Sequence, residues 1–91
     1  MVNVHVQRGK DGWTCDVTVD QAGQSTRHAV SVSRHDLERW GRSEDAARVE
    51  DLVRRSFQFL LERESPRSIL GRFDLAVIQR YFPDYDQHFK R

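Results

Sequence analysis

The chain has 91 residues and a mass of 10.7 kDa, which is enough for one domain with one core. Its 15 Lys and Arg residues are balanced by 14 Asp and Glu residues, and the net charge of +1 argues against a dedicated nucleic-acid-binding protein. No stretch of about 18 apolar residues occurs, so we expect no membrane span. The single cysteine, Cys15, excludes an internal disulfide and a thiolate-rich zinc site. Because the first residues also lack the pattern of a secretory signal, we expect a cytoplasmic protein.

Three runs in the N-terminal third alternate between apolar and polar residues. They extend from Val2 to Val6, from Trp13 to Val19 and from Thr26 to Val32. Alternation is the period of a strand that buries one face, and the glycine-containing segments between the runs are typical of tight turns. The pattern predicts an antiparallel meander of three strands within residues 1–32, with an apolar face that needs a cover.

From Ser33 onward the apolar residues follow the period of a helix. Ser33 and Asp36 have the spacing of a capping box, which predicts a short helix that Gly41 ends. Ser43 is the expected N-cap of a longer helix over residues 44–64. Because this helix has a continuous apolar stripe, we expect it to cover the sheet. The stripe consists of Val49, Leu52, Val53, Phe57, Leu60 and Leu61.

Two shorter helices are predicted after residue 65. Pro66 suits the first position of a helix over residues 66–70, and Asp74 is the expected N-cap of a helix over residues 75–82. Pro83 ends the last helix, and residues 84–91 are predicted to be a partly ordered tail. The sequence therefore predicts a single α+β domain over residues 1–91. Its three-stranded antiparallel meander packs on one long helix, and all helices lie within residues 33–83.

Residue types that carry catalysis or bind metals do not converge in this sequence. The candidates are His5, His28, His35, His88 and Cys15, and no two of them have the short spacing typical of a zinc site. Cys15 shares its strand face with apolar residues, which indicates a buried thiol rather than a nucleophile. The sequence has no glycine-rich phosphate loop and no nucleophile elbow. We therefore predict a non-enzymatic protein without a metal or a cofactor.

Aromatic residues are concentrated near the C-terminus. Phe73, Tyr81, Phe82, Tyr85 and Phe89 fall within 17 residues, and a core of this size has little room for all of them. Exposed Tyr and Phe side chains mark protein interfaces, so we predict an interaction surface formed by Phe73, Tyr81, Tyr85 and Phe89. The partner would be another protein or a second copy of the chain, forming a homodimer. In the alternative interpretation, Phe73 and Phe82 belong to the core, and Tyr81 and Tyr85 lie flat on the surface.

A nucleic-acid-binding regulatory protein is the alternative functional interpretation. The predicted helices over residues 66–70 and 75–82, with a glycine-containing turn between them, have the order of a helix-turn-helix. Six arginines against three acidic residues give residues 54–80 a net charge of +3. An acid at Asp74 weakens this hypothesis, because it would lie at the start of the reading helix and repel phosphate.

Three segments of the C-terminal half carry a resemblance. They are residues 52–64 (LVRRSFQFLLERE), residues 68–70 (SIL) and residues 73–83 (FDLAVIQRYFP). In these segments the chain resembles a family of short uncharacterised bacterial proteins, and residues 30–37 fit the same pattern, so the resemblance covers about two-thirds of the chain. It implies a compact bacterial domain and assigns no catalytic or binding residue.

Overall fold

The computed structural model of the chain describes residues 1–10, 12–21, 23–40 and 45–89. Three antiparallel strands pair in chain order: β1 (Val2–Arg8), β2 (Gly12–Gln21) and β3 (Gln24–Ser33). The register sets Val4 opposite Val17, and Val17 opposite His28. Side chains that share a face therefore come from the alternating apolar positions, as the sequence predicts.

Two glycines shape the connections of this meander. Gly23 has a φ of 77°, in the left-handed region that glycine adopts without steric cost, and it lies where β2 turns into β3. Gly12 allows a close approach between strands, because a Cβ atom at this position would lie 2.2 Å from the carbonyl oxygen of Val32. A side chain at Gly23 would strain the turn between β2 and β3, and a side chain at Gly12 would push β2 away from β3.

A fourth strand corrects the predicted three-stranded sheet. β4 (Arg72–Asp74) pairs in parallel with β3, so the described strands form a mixed sheet in the order β1-β2-β3-β4. The sequence predicts a turn here and assigns Asp74 to a helix cap. In the structure Asp74 instead accepts a hydrogen bond from the Ser31 hydroxyl across the sheet. Phe73 points into the core between two exposed neighbours. The predicted α+β class is confirmed.

The longest helix of the described residues, α2 (Ala46–Leu61), packs on β1 and β2. Its buried residues include Val53, Phe57 and Leu60 from the predicted stripe. The helix ends before the predicted residue 64. The guanidinium of Arg63 donates a hydrogen bond to the backbone carbonyl of Phe59 at 2.9 Å, and the chain then becomes extended at Ser65, before Pro66. The predicted cap at Ser43 and the predicted stop at Gly41 lie outside the described residues.

The capping box at the end of β3 is formed as predicted. The backbone N–H of Asp36 donates to the Ser33 hydroxyl at 3.0 Å, and the backbone N–H of Ser33 donates to the Asp36 carboxylate at 3.1 Å. These reciprocal bonds satisfy two donors at the start of α1 (Arg34–Trp40). They explain how the strand passes into a helix without a loop.

The C-terminal helices are shorter than predicted, and a further helix lies beyond residue 83, where none was predicted. The predicted helix over residues 66–70 is a single 3-10 turn, Pro66–Ser68, and α3 spans Ala76–Tyr81. The predicted partly ordered tail contains another helix, α4 (Tyr85–Phe89), whose end residues are both buried. Trp40 holds α4 against α1 through a hydrogen bond of 2.8 Å from its indole nitrogen to Asp86. Tyr85 and Phe89 of the predicted tail therefore belong to the core.

Among the described residues, no helix has both the length and the apolar character needed to cross a bilayer.

Candidate functional site

The structure separates the four residues of the predicted interaction surface. Tyr85, Phe89 and Phe73 are buried, so the prediction that they form an exposed surface is wrong. Tyr81 alone of the four is exposed, with 69% of its surface accessible. The physical reason is the short helix α4, which turns Tyr85 and Phe89 inward.

Tyr85 and Phe89 belong to an aromatic cluster under α2. The Tyr85 ring meets the Phe59 ring edge-on at 5.3 Å, the Trp40 ring edge-on at 5.1 Å and the Phe89 ring at 4.4 Å. Ser56 donates its hydroxyl proton to the carbonyl of Leu52 at 2.7 Å, so the Tyr85 hydroxyl donates to Ser56, also at 2.7 Å. Burial raises the pKa of the Tyr85 phenol.

Phe73 and Tyr81 line a groove beside α3, which we call the Leu70–Tyr81 groove. The groove has a volume of about 250 Å³, and its wall is formed by apolar side chains apart from Glu64 and Ser68. Its apolar lining comes from Leu60, Ile69, Leu70, Phe73, Val77, Ile78, Tyr81 and Phe82. Sequence analysis identified Phe73 and Tyr81 but missed Leu70, because it assigned Leu70 to a helix that does not form.

Backbone contacts and one histidine fix Leu70 at the rim of the groove. His28 donates from Nδ1 to the carbonyl of Leu70 at 2.7 Å, and its Nε2 lies 2.9 Å from the Thr26 hydroxyl. The next residue, Gly71, accepts a hydrogen bond of 2.8 Å from the backbone N–H of Ala29. The Leu70 side chain remains 49% exposed although its backbone is held on the sheet. The backbone at this rim of the groove is thus held by β3.

Exposed apolar side chains coincide with this groove. Of the described residues, the large apolar side chains that remain exposed are Met1, Leu70 and Tyr81, and the last two stand at its rim. Contiguous apolar exposure beside a pocket is the usual mark of a binding surface.

Three charged side chains without ion-pair partners in the described residues lie in the groove or in the neighbouring depression. Glu64 lines it, and partial burial raises the pKa of the Glu64 carboxyl above its ordinary value. Arg72 and Arg80 line an open depression on the other side of Leu70 and Tyr81, together with Asp16 and Asp74. In the part of the chain that the structure describes, Glu64, Arg72 and Arg80 each lack an ion-pair partner.

The residues with catalytic potential lie apart from one another. Cys15 is fully buried, and this burial raises the pKa of its thiol to about 12, which makes it a poor nucleophile. Ser31 and Asp74 are hydrogen-bonded on the outer face of the sheet, but His28 lies on the opposite face of the same strand. No group of three or more potential metal ligands lies together in residues 1–10, 12–21, 23–40 and 45–89.

The described residues also lack the helix-turn-helix geometry that the alternative hypothesis requires. A single 3-10 turn stands where its first helix was predicted, and β4 replaces the predicted turn. Asp74 lies in that strand rather than at a helix cap.

Comparisons of the chain with protein-family models, with curated proteins and with solved structures found no match. The functional interpretation therefore rests on the geometry of the site, and the resemblance to short bacterial proteins stays a prediction.

Proposed function

We propose that this chain is a non-enzymatic protein-interaction domain and that the Leu70–Tyr81 groove is its docking surface. One observation carries this proposal: an exposed aliphatic side chain and an exposed aromatic side chain stand at the rim of an apolar groove. Burying these side chains against a partner would gain about 25 cal/mol for each Å² of apolar surface removed from water.

The size of the groove favours a protein side chain over a small-molecule ligand. Ligand pockets usually have volumes of about 300–1,000 Å³ and surround most of the ligand. The volume of about 250 Å³ falls below that range, and the groove is open on one side. Such a shape suits one inserted side chain from a partner, with the surrounding surface making flat contacts.

The charges around the groove favour a protein over a nucleic acid. Arg72 and Arg80 lie with Asp16 and Asp74 in the neighbouring depression, so this surface has no excess of positive charge. Binding to phosphate backbones needs such an excess.

Site-specific photo-crosslinking in the source cells tests the docking surface. A photoreactive benzoylphenylalanine replaces Leu70, and the matched control carries it at Gln58, an exposed position on α2. We expect a discrete protein adduct at position 70 that survives nuclease treatment and disappears when Tyr81→Ser is added. Adducts that are identical at positions 70 and 58, or that nuclease removes, would contradict the proposal.

A further inference from the structure

We propose that the occupant of the Leu70–Tyr81 groove is a second copy of this chain. In this two-fold arrangement, Tyr81 of each copy enters the groove of the other, and Arg80 of each copy pairs with Glu64 of the other. The inference rests on the proposed function, because it specifies the partner of the same surface.

The surface has a protrusion and a hole side by side, which is the requirement for pairing with itself. Tyr81 stands at the rim with 69% of its surface exposed, and the groove beside it has room for one aromatic side chain. In a two-fold interface, if residue i of one copy contacts residue j of the other, then j also contacts i. A single Tyr81 contact is therefore made twice, and Leu70 and Val77 lie beside both.

The charges of Glu64 and Arg80 are complementary when two copies are related by a two-fold axis. Glu64 is a half-buried carboxylate in the groove, and Arg80 lines the neighbouring depression together with the protruding Tyr81. Neither has an ion-pair partner in the described part of the chain. Docking Tyr81 of one copy would carry its Arg80 toward Glu64 of the other, where a guanidinium can bind a carboxylate through two hydrogen bonds. A negatively charged partner would satisfy Arg80 but repel Glu64, whereas a second copy satisfies both.

The available area sets the strength of the association. A stable interface buries roughly 800 Å² on each partner, whereas the chain exposes 5785 Å² in total, so the interface would take about a seventh of its surface. The groove and its rim are a modest patch, and we expect a dimer that dissociates on dilution rather than an obligate one.

Sedimentation equilibrium of variants with reversed charges at Glu64 and Arg80 measures how much this ion pair contributes to the affinity of the dimer. We expect the wild-type chain to pass from monomer to dimer between low micromolar and millimolar concentrations. Glu64→Arg and Arg80→Glu should each weaken the dimer by about tenfold or more, since each places like charges in contact. The double variant, which exchanges the two charges, should recover an affinity close to that of the wild type. Arg48→Glu, an exposed charge reversal on α2, is the matched control and should leave the dimer unchanged.

The Tyr81→Ala variant tests the inference even if the substitution of Glu64 destabilises the monomer. Tyr81 is exposed, so its removal should abolish the dimer while the thermal unfolding of the monomer stays the same, and Tyr81→Phe should retain the dimer. A wild-type chain that is monomeric at millimolar concentration overturns the inference, as does a dimer that both single charge reversals leave intact. If the chain is monomeric but position 70 still crosslinks to a different protein, the proposed function stands and only the second copy as partner is wrong.

Discussion

The hydroxyl of Tyr85 is buried within the aromatic cluster. It donates to Ser56, which in turn donates to the carbonyl of Leu52, so a side chain from α4 is tied to the backbone of α2. A hydroxyl without a partner would be costly in this aromatic cluster. The Ser56 side chain therefore makes a tyrosine acceptable at a position that is otherwise suited to phenylalanine.

Replacing Tyr85 by Phe tests the value of this hydrogen bond. The aromatic ring stays, and Ser56 keeps its bond to Leu52, so we expect the free energy of unfolding to fall by only about 1 kcal/mol. For a domain of this size that corresponds to a decrease of about 4–8 °C in the melting temperature. Calorimetry measures the change, and Tyr81→Phe on the surface is the control, with an expected change within about 0.5 kcal/mol. A loss of more than about 3 kcal/mol would mean that the hydroxyl fixes more than one contact.

Side chains whose burial follows from local period are predictable from the sequence. Cys15 and Phe57 are buried as their strand and helix faces predict, and Ser33 and Asp36 form the predicted capping box. Tyr85 is not predictable in this way, because a five-residue helix is too short to display a period. Its hydroxyl partner, Ser56, is 29 residues away, and its pairing depends on how α4 docks.

At the level of elements, β4 is the strand that the local sequence pattern could not predict. Three residues contain one alternation, which the sequence cannot distinguish from a turn. The strand forms because Phe73 fits beside Phe57 at 6.1 Å and because the backbone on either side is held by β3. Part of the candidate groove follows from this pairing, since β4 and the segment before it carry Phe73 and Leu70. The aromatic composition indicated the segment that contains the exposed Tyr81, but it could not separate exposed rings from buried rings.

Helix α4 is short but closes the core, and truncation tests its contribution. A chain that ends at Pro83 loses Tyr85 and Phe89 and exposes Phe59, which both rings contact. Large buried aromatics contribute about 3–5 kcal/mol each, and a whole domain has about 5–15 kcal/mol of stability. We therefore expect this truncated chain to lose its cooperative thermal transition and its near-ultraviolet circular dichroism. A chain that ends at Phe89 is the control and should keep both.

If the chain that ends at Pro83 still unfolds cooperatively within a few degrees of the full chain, α4 is an attachment rather than a part of the core. The predicted partly ordered tail would then describe its energetic role correctly.

For the molecule as a whole, the core consists of two parts that come from different elements of the fold. The valines of the meander and the stripe of α2 form one part, and the aromatic cluster of α1, α2 and α4 forms the other. α3 lies at the boundary, with Ile78 in the core and Tyr81 outside. The proposed docking surface is therefore attached to the sheet by backbone hydrogen bonds on either side of β4, which would help to preorganise an interface.

Each part of this core contains a buried group whose burial raises its pKa into the alkaline range, and these two groups predict how stability depends on alkaline pH. Burial raises the pKa of the Cys15 thiol to about 12 and raises the pKa of the Tyr85 phenol, whereas the unfolded chain has values of about 8.5 and 10. The unfolded state therefore loses protons that the folded state retains, and the free energy of unfolding falls as pH rises above about 8.5. The contribution is fully present below that pH and declines by at most about 1.4 kcal/mol per pH unit for each group.

Urea unfolding between about pH 7 and 10.5 measures the decline. Cys15→Ala should remove the part that begins near pH 8.5, and Tyr85→Phe should remove the part that begins near pH 10. A wild-type curve that is flat across this range would mean that both groups ionise as freely in the folded chain as in the unfolded one.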